Sequence, residues 1–223
     1  MTRVLDIEVF FDLICPWCLI GKRNLEKALG MLAVLRPDVE ARIHWKGVQL
    51  LPDLAPEGVP FKTFYLQRLG SEAAVLARQA QVQAAAAQAG ADIDLQRIQV
   101  MPNTANAHRL LAHVGRQGSA GLVDSLLERL FAGYFQLGEN IGDRELLLRL
   151  GKSCGLDPQL LAAVLVDDGR PYVGNDAPQG GGGVPAYLID GRIYLVGAQP
   201  PELILAQLER ALTERRGALV PSP

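Results

Sequence analysis

Apolar and polar positions follow different rhythms at the two ends of this chain and in its middle. Near the N-terminus, Ile7-Glu8-Val9-Phe10-Phe11 is an apolar run of strand length. A helix-like stretch follows from Pro16 to about Leu35, closed by Arg36-Pro37-Asp38. Residues Ala41 to Val48 read as a second strand. Two strands joined by a helix predict a parallel pair with a right-handed crossover. Near the C-terminus, Val184–Ile189 and Arg192–Val196 are β-rich runs separated by Asp190-Gly191, which predicts a two-residue hairpin. A last helix opens at Pro200-Pro201-Glu202 and carries Leu203, Leu205, Leu208 and Leu212 at helical spacing.

From about Leu54 to Asp176 the pattern is helical throughout. Val59–Gly70 and Ser71–Gly90 are successive helical segments, with Gly90 a natural stop. The run Ala84–Ala87 reads as a helix packed closely on a neighbour. Asn103 or Thr104 can cap a helix ending near Gly118, Asp143 one ending near Gly155, and Asp157-Pro158 opens another. Because strands are predicted only at the two ends, the simplest fold class is α/β, one mixed sheet built from both termini. Residues 1–53 and 177–223 would form that sheet domain, with 54–176 an inserted helical domain.

Composition narrows the functional classes. The 223 residues are 49% hydrophobic and 21% charged, which suits one large globular domain or a small one carrying an insertion. No apolar run is long enough to span a bilayer, so no membrane partner is expected. The net charge of −2 gives no basic footprint, which argues against nucleic acid. Met1 to Glu8 lacks the basic region, apolar core and cleavage site of an export leader, and the expected compartment is the cytoplasm.

Against that background, Cys15-Pro16-Trp17-Cys18 is a dithiol at a strand-to-helix junction. Cys15 falls at the helix N-cap, where unpaired N–H groups and the helix dipole favour a thiolate, so it is the expected nucleophile. Pro16 at the first helical position loses nothing by lacking an N–H. Cys18, one turn in, is placed to resolve a mixed disulfide. A zinc site would need a second ligand pair, and His44, His108, His113 and Cys154 are scattered, so no metal is expected. A structural disulfide would be uncommon in a reducing compartment. Cys154 reads as a small buried hydrophobe. Asp12 would disfavour a nearby thiolate if buried, but reads first as a turn residue ending the strand. His108 reads as a packed or hydrogen-bonded core residue rather than a general base. Lys22 and Arg23 read as part of the solvated face of the first helix.

A strand–helix–strand unit with Cys-Pro-x-Cys, a helical insertion, and a C-terminal unit opening with Val-Pro resembles the DsbA-like branch of the thioredoxin superfamily. FrnE-type members share an Asp-x-x-Cys-Pro-Trp-Cys-x-x-Gly-Lys pattern, matched by Asp12 through Lys22. Further similarities are Asn103-Thr104 with Ala107–Leu110, Leu130–Phe135, Gly183-Val184-Pro185 and Gly197-Ala198-Gln199. The resemblance implies a thioredoxin-like fold and a thiol–disulfide oxidoreductase with Cys15 and Cys18 catalytic. It makes Pro185 a cis-proline facing the dithiol, and the backbone of Val184 a partner for an extended substrate. Trp17 then either offers an apolar surface beside the nucleophile or packs on the insertion. Implied partners are protein or small-molecule thiols and disulfides, with glutathione a candidate co-substrate, no separate cofactor, and a homodimer a candidate assembly. A related branch, the 2-hydroxychromene-2-carboxylate isomerases and kappa-class glutathione transferases, gives the alternative of a glutathione-dependent isomerase or transferase. That branch has serine where Cys15 stands.

Overall fold

The structure, a computed structural model, describes residues 2–116, 120–166, 168–174 and 183–217. In chain order its elements are β1 (Arg3–Phe11), α1 (Pro16–Leu35), β2 (Val39–Gly47), β3 (Val59–Pro60), α2 (Phe61–Leu69), α3 (Glu72–Ala89), β4 (Val100–Met101), α4 (Ala105–Arg116), α5 (Ala120–Phe135), α6 (Arg144–Ser153), α7 (Pro158–Val164), β5 (Ala186–Ile189), β6 (Ile193–Val196) and α8 (Pro201–Gly217). The helix end expected near Gly118 and the boundary expected at 176–177 fall outside the described residues.

The chain divides into two compact units. One takes residues 1–11, 17–46 and 176–223. Within it a four-stranded mixed sheet runs β2-β1-β5-β6. Ile7 faces Ile189 in the antiparallel β1–β5 ladder, so residues from opposite ends of the chain share the centre of the sheet. Leu5, Ile7 and Val9 of β1 meet Leu25 and Leu32 of α1 and Leu208 and Leu212 of α8 in one buried cluster. Each such aliphatic side chain, fully buried, contributes about 1.5–3 kcal/mol. This is the α/β mixed sheet with a helical insertion that the sequence pattern predicts, and the thioredoxin-like fold that the resemblance implies.

Several local expectations are corrected. Arg192 is a loop residue: Asp190 and Gly191 both take positive φ as a tight hairpin turn requires, yet the ladder resumes only at Ile193 opposite Ile189. The Arg192 guanidinium instead bonds Asp190 Oδ2 at 2.7 Å and the Ala211 carbonyl at 3.1 Å, which holds the extra residue out of the strand.

The second unit takes residues 12–16 and 47–175 and is mainly helical. Val59-Pro60, expected as the start of a helix, pairs instead with Val100-Met101 in a two-stranded ladder too short to show a period of two. Ser71 caps α3 by accepting from the Ala74 N–H, and Gly90 ends it in the left-handed conformation. Ala86 is buried but Ala84 and Ala87 are exposed, so the alanine run packs along a single stripe. Asp143 and Asp157 cap α6 and α7 as their sequence positions predict. Cys154 is half-buried at the end of α6, not a core residue; its N–H closes the last turn onto Leu150 and Gly151, and partial burial pushes its thiol up. Among the described residues no helix is long and apolar enough to cross a membrane.

Candidate functional site

β1 delivers the chain to a short turn in which the Cys15 N–H donates to the Asp12 carbonyl at 3.2 Å. Helix α1 begins at the next residue, Pro16, so Cys15 stands at its N-terminal flank and Cys18 in its first turn. Cys15 is 8% and Cys18 3% exposed, and neither is in a disulfide. Trp17 between them is half-buried. A nucleophile held at the mouth of a helix with a second thiol one turn on is an arrangement suited to disulfide exchange.

Pro185 is buried, half-buried Val184 precedes it, and the bond between them is cis. Both lie in the sheet unit, as does α1 from Trp17 onward. A Cβ on Gly21 would stand 2.8 Å from Pro185 Cγ and run into the Tyr187 hydroxyl. The Pro185 strand therefore seats against α1 one turn beyond Cys18, which is why the motif spacing ends in glycine. The Gly197-Ala198-Gln199 segment fastens the same corner: the Gly197 N–H donates to the Pro185 carbonyl at 2.7 Å, and Asn24 Nδ2 of α1 donates to the Gln199 carbonyl at 2.9 Å.

Lys22 corrects the sequence reading. It is 2% exposed rather than solvated, ion-paired with Glu26 and placed over the Trp45 ring at 5.6 Å from its centroid. Arg23 is the residue that reaches outward, bonding Glu26 at 3.0 Å.

In the helical unit the turn that carries Cys15 is anchored from below. The Asp12 side chain is 0% exposed; its Oδ2 accepts from the Leu50 N–H at 2.7 Å and its Oδ1 lies 3.0 Å from His108 Nε2. The backbone of Asp12 does make the expected turn, but its carboxylate belongs to the interior. His108 is 1% exposed, as a core histidine should be, and stacks on Tyr172 with ring centroids 5.1 Å apart. The Tyr172 N–H donates to Gln49 Oε1 at 2.6 Å, and Gln49 Nε2 donates to Asn103 Oδ1 at 2.9 Å. That oxygen also accepts the Ala105 N–H at 2.9 Å, so Asn103 rather than Thr104 supplies the side-chain cap of α4. Sequence reading singled out Asp12, His108 and Asn103 separately but not their connection, and Gln49 and Tyr172 not at all. Asp12, Gln49, the Asn103–His108 stretch and Tyr172 lie far from one another in sequence, and no local spacing could reveal the pairing.

Two phenols complete this interior. Burial pushes the Tyr65 hydroxyl up, and the charge of Cys15 adds to it. Tyr134 is pushed well up by burial first, then by Tyr65 and Asp12. Tyr65 sits in an aromatic group with Phe61 and Phe64, at centroid distances of 4.8 and 5.4 Å.

Comparison with known proteins agrees with this architecture. A probable DsbA oxidoreductase from Streptomyces coelicolor is similar in structure, with a TM-score of 0.80 at 28% identity over 98% of this chain and 93% of that one. A 2-hydroxychromene-2-carboxylate isomerase shares the fold at a TM-score of 0.59 and 12% identity, over 97% of this chain and all of that one. The uncharacterized protein YwbO of Bacillus subtilis (strain 168) is 28% identical over 151 residues, 68% of this chain. That match spans 66% of the curated relative's length, just under two thirds. A family model described as a DSBA-like thioredoxin domain matches residues 6–209. With sheet, insertion and dithiol in agreement, the chain belongs to the DSBA-like thioredoxin domain family.

Proposed function

We propose that the protein is a thiol–disulfide oxidoreductase in which Cys15 is the attacking thiol and Cys18 the resolving one. The observation that carries this reading is the placement of two thiols at the start of α1, Cys15 just before it and Cys18 in its first turn. The Cys15 thiolate attacks one sulfur of a substrate disulfide, forming a Cys15–substrate disulfide and releasing the other sulfur as a thiolate. Cys18 then attacks Cys15 Sγ, closing the Cys15–Cys18 disulfide and releasing the second substrate thiolate. Two electrons pass to the substrate, and the two enzyme thiol protons balance its two new thiols. Run backwards, the same steps oxidise a dithiol. Half-buried Trp17 and Val184, with Pro185 beside α1, form the proposed substrate-contacting set, suited to an extended peptide or a small thiol such as glutathione. The glutathione-dependent isomerase reading gains no residue: the position that would carry serine carries the Cys15 thiol.

Insulin reduction and mass spectrometry test the proposal. Cys18→Ser should accumulate mixed disulfides on Cys15, and Cys15→Ser should lose exchange altogether. Equal residual activity in the two variants would remove the two-thiol mechanism.

A further inference from the structure

We propose that a cleft in the helical unit binds a small oxyanion, a carboxylate or phosphate group, through Arg109 of α4 and Arg170. The inference stands apart from the exchange reaction, and binding can be read without turnover. The cleft is open to solvent, holds about 300 Å³ including its mouth, and lies between the first turns of α4, the loop at Gly142 and the segment after α7. Among the described residues its charged lining groups are both arginines, and no carboxylate lines it. The floor is tied down from several sides. Asn103 Oδ1 accepts from Gln49 Nε2 and from the Ala105 N–H, each at 2.9 Å, while its Nδ2 donates to the Leu54 carbonyl. A Cβ on Gly142 would stand 2.8 Å from the Asn103 carbonyl oxygen, so that loop closes directly onto the backbone before α4.

Arg109 is what distinguishes this cleft from a gap between loops. It is half-buried, and three bonds fix its guanidinium: Nη1 donates to Asn106 Oδ1 at 2.9 Å, and Nη2 to the Arg170 carbonyl at 2.6 Å and the Pro171 carbonyl at 3.2 Å. All three acceptors are neutral. Arg23, Arg36 and Arg129 are half-buried as well, and each meets a carboxylate, at 3.0, 2.7 and 2.6 Å respectively. Among the described residues no carboxylate does this for Arg109. A partly desolvated cation held only by dipoles is under-compensated, and an oxyanion would complete it. A guanidinium has five N–H donors and three bonds are made, so two remain for a ligand. Because the existing bonds already order the side chain, the entropic cost of binding falls. Arg170 stands at the rim, 83% exposed. Its acidic partner is Asp168, whose Oδ1 accepts the Arg170 N–H at 3.0 Å and whose Oδ2 lies 3.4 Å from Nε. So exposed and loose an ion pair contributes little, which leaves the Arg170 head able to turn towards an anion in the cleft.

The test replaces chloride by phosphate or by acetate at constant ionic strength and follows the Arg109 Nε–H resonance and the melting temperature of the whole protein. Both should move saturably, since a ligand that binds only the folded state stabilises it. Arg109→Met should remove the saturable response. Arg170→Ala, at an exposed position, should weaken binding roughly tenfold, as expected for the loss of one charge-assisted hydrogen bond. Melting in chloride alone is the control for folding of each variant. A short peptide with a free C-terminal carboxylate, set beside its amidated form, separates the sources of the anion. Tighter binding of the acid peptide than of acetate or phosphate assigns a chain terminus, and the reverse order assigns a free anion; either supports the proposal. Equal responses in wild type and folded Arg109→Met, unchanged affinity in Arg170→Ala, a drift that never saturates, or no response to any of these probes would overturn it. If Arg109→Met does not fold, the Arg170→Ala titration and the Arg109 resonance decide the question.

Discussion

Gly47 shows how one missing side chain can matter to a site it does not touch chemically. A Cβ there would run into His108 Nδ1, and the ring is already boxed by Asp12 and Tyr172. Gly47→Ala should therefore push the imidazole off the carboxylate. Overpacking of this kind costs about 1–3 kcal/mol, measurable by urea denaturation. An unchanged denaturation midpoint would mean that the box yields. Lys22 makes a related point from the opposite side. A charged residue in a motif reads as solvated from sequence, yet its stem lies buried and its ammonium meets Glu26 and the Trp45 face.

Helix α1 carries two glycines with opposite duties. Gly30 has open space where a Cβ would go, so Gly30→Ala should stabilise the protein by about 0.5–1 kcal/mol through helix propensity alone. At Gly21 the same gain is outweighed, because the new methyl would collide with Tyr187 and Pro185. Gly21→Ala should lower the melting temperature and slow disulfide exchange, whereas Gly30→Ala should raise the first and spare the second. Melting curves and insulin reduction on the pair separate local packing from general helix effects. These elements also mark what the sequence made legible. α1 begins at Pro16 and ends at Leu35 as its punctuation predicts, and the aspartate caps of α6 and α7 fall where their positions indicate. The β3–β4 ladder was illegible because two residues have no period, and Arg192 was misassigned because its loop position depends on a carbonyl in α8. Cys15 and Cys18 were visible because their spacing is local. The Asp12–His108 pair was not, since its members lie 96 residues apart in the chain.

At the scale of the whole molecule, the sheet unit is assembled from three separate stretches of chain, and the helical unit supplies nearly everything between the second and third. The central ladder joins Ile7 to Ile189. That arrangement sets an order of events during synthesis. When the ribosome has made β1, α1 and β2, the partner for one side of β1 does not yet exist, and the intervening residues emerge first. Closing so long a loop adds little to the equilibrium free energy, because its entropy grows only logarithmically with length. It slows folding far more, since non-local pairing is reached late. Pulse-labelled hydrogen exchange during refolding should protect the α4 and α5 amides before those of β1 and β5, and the two strands should become protected together. Until then, the apolar side of β1 has no strand to cover it, so a chain halted before Ala186 should aggregate where the full chain does not. The separation that lets a dithiol and a distant proline strand share α1 thus leaves the nascent protein exposed for most of its translation.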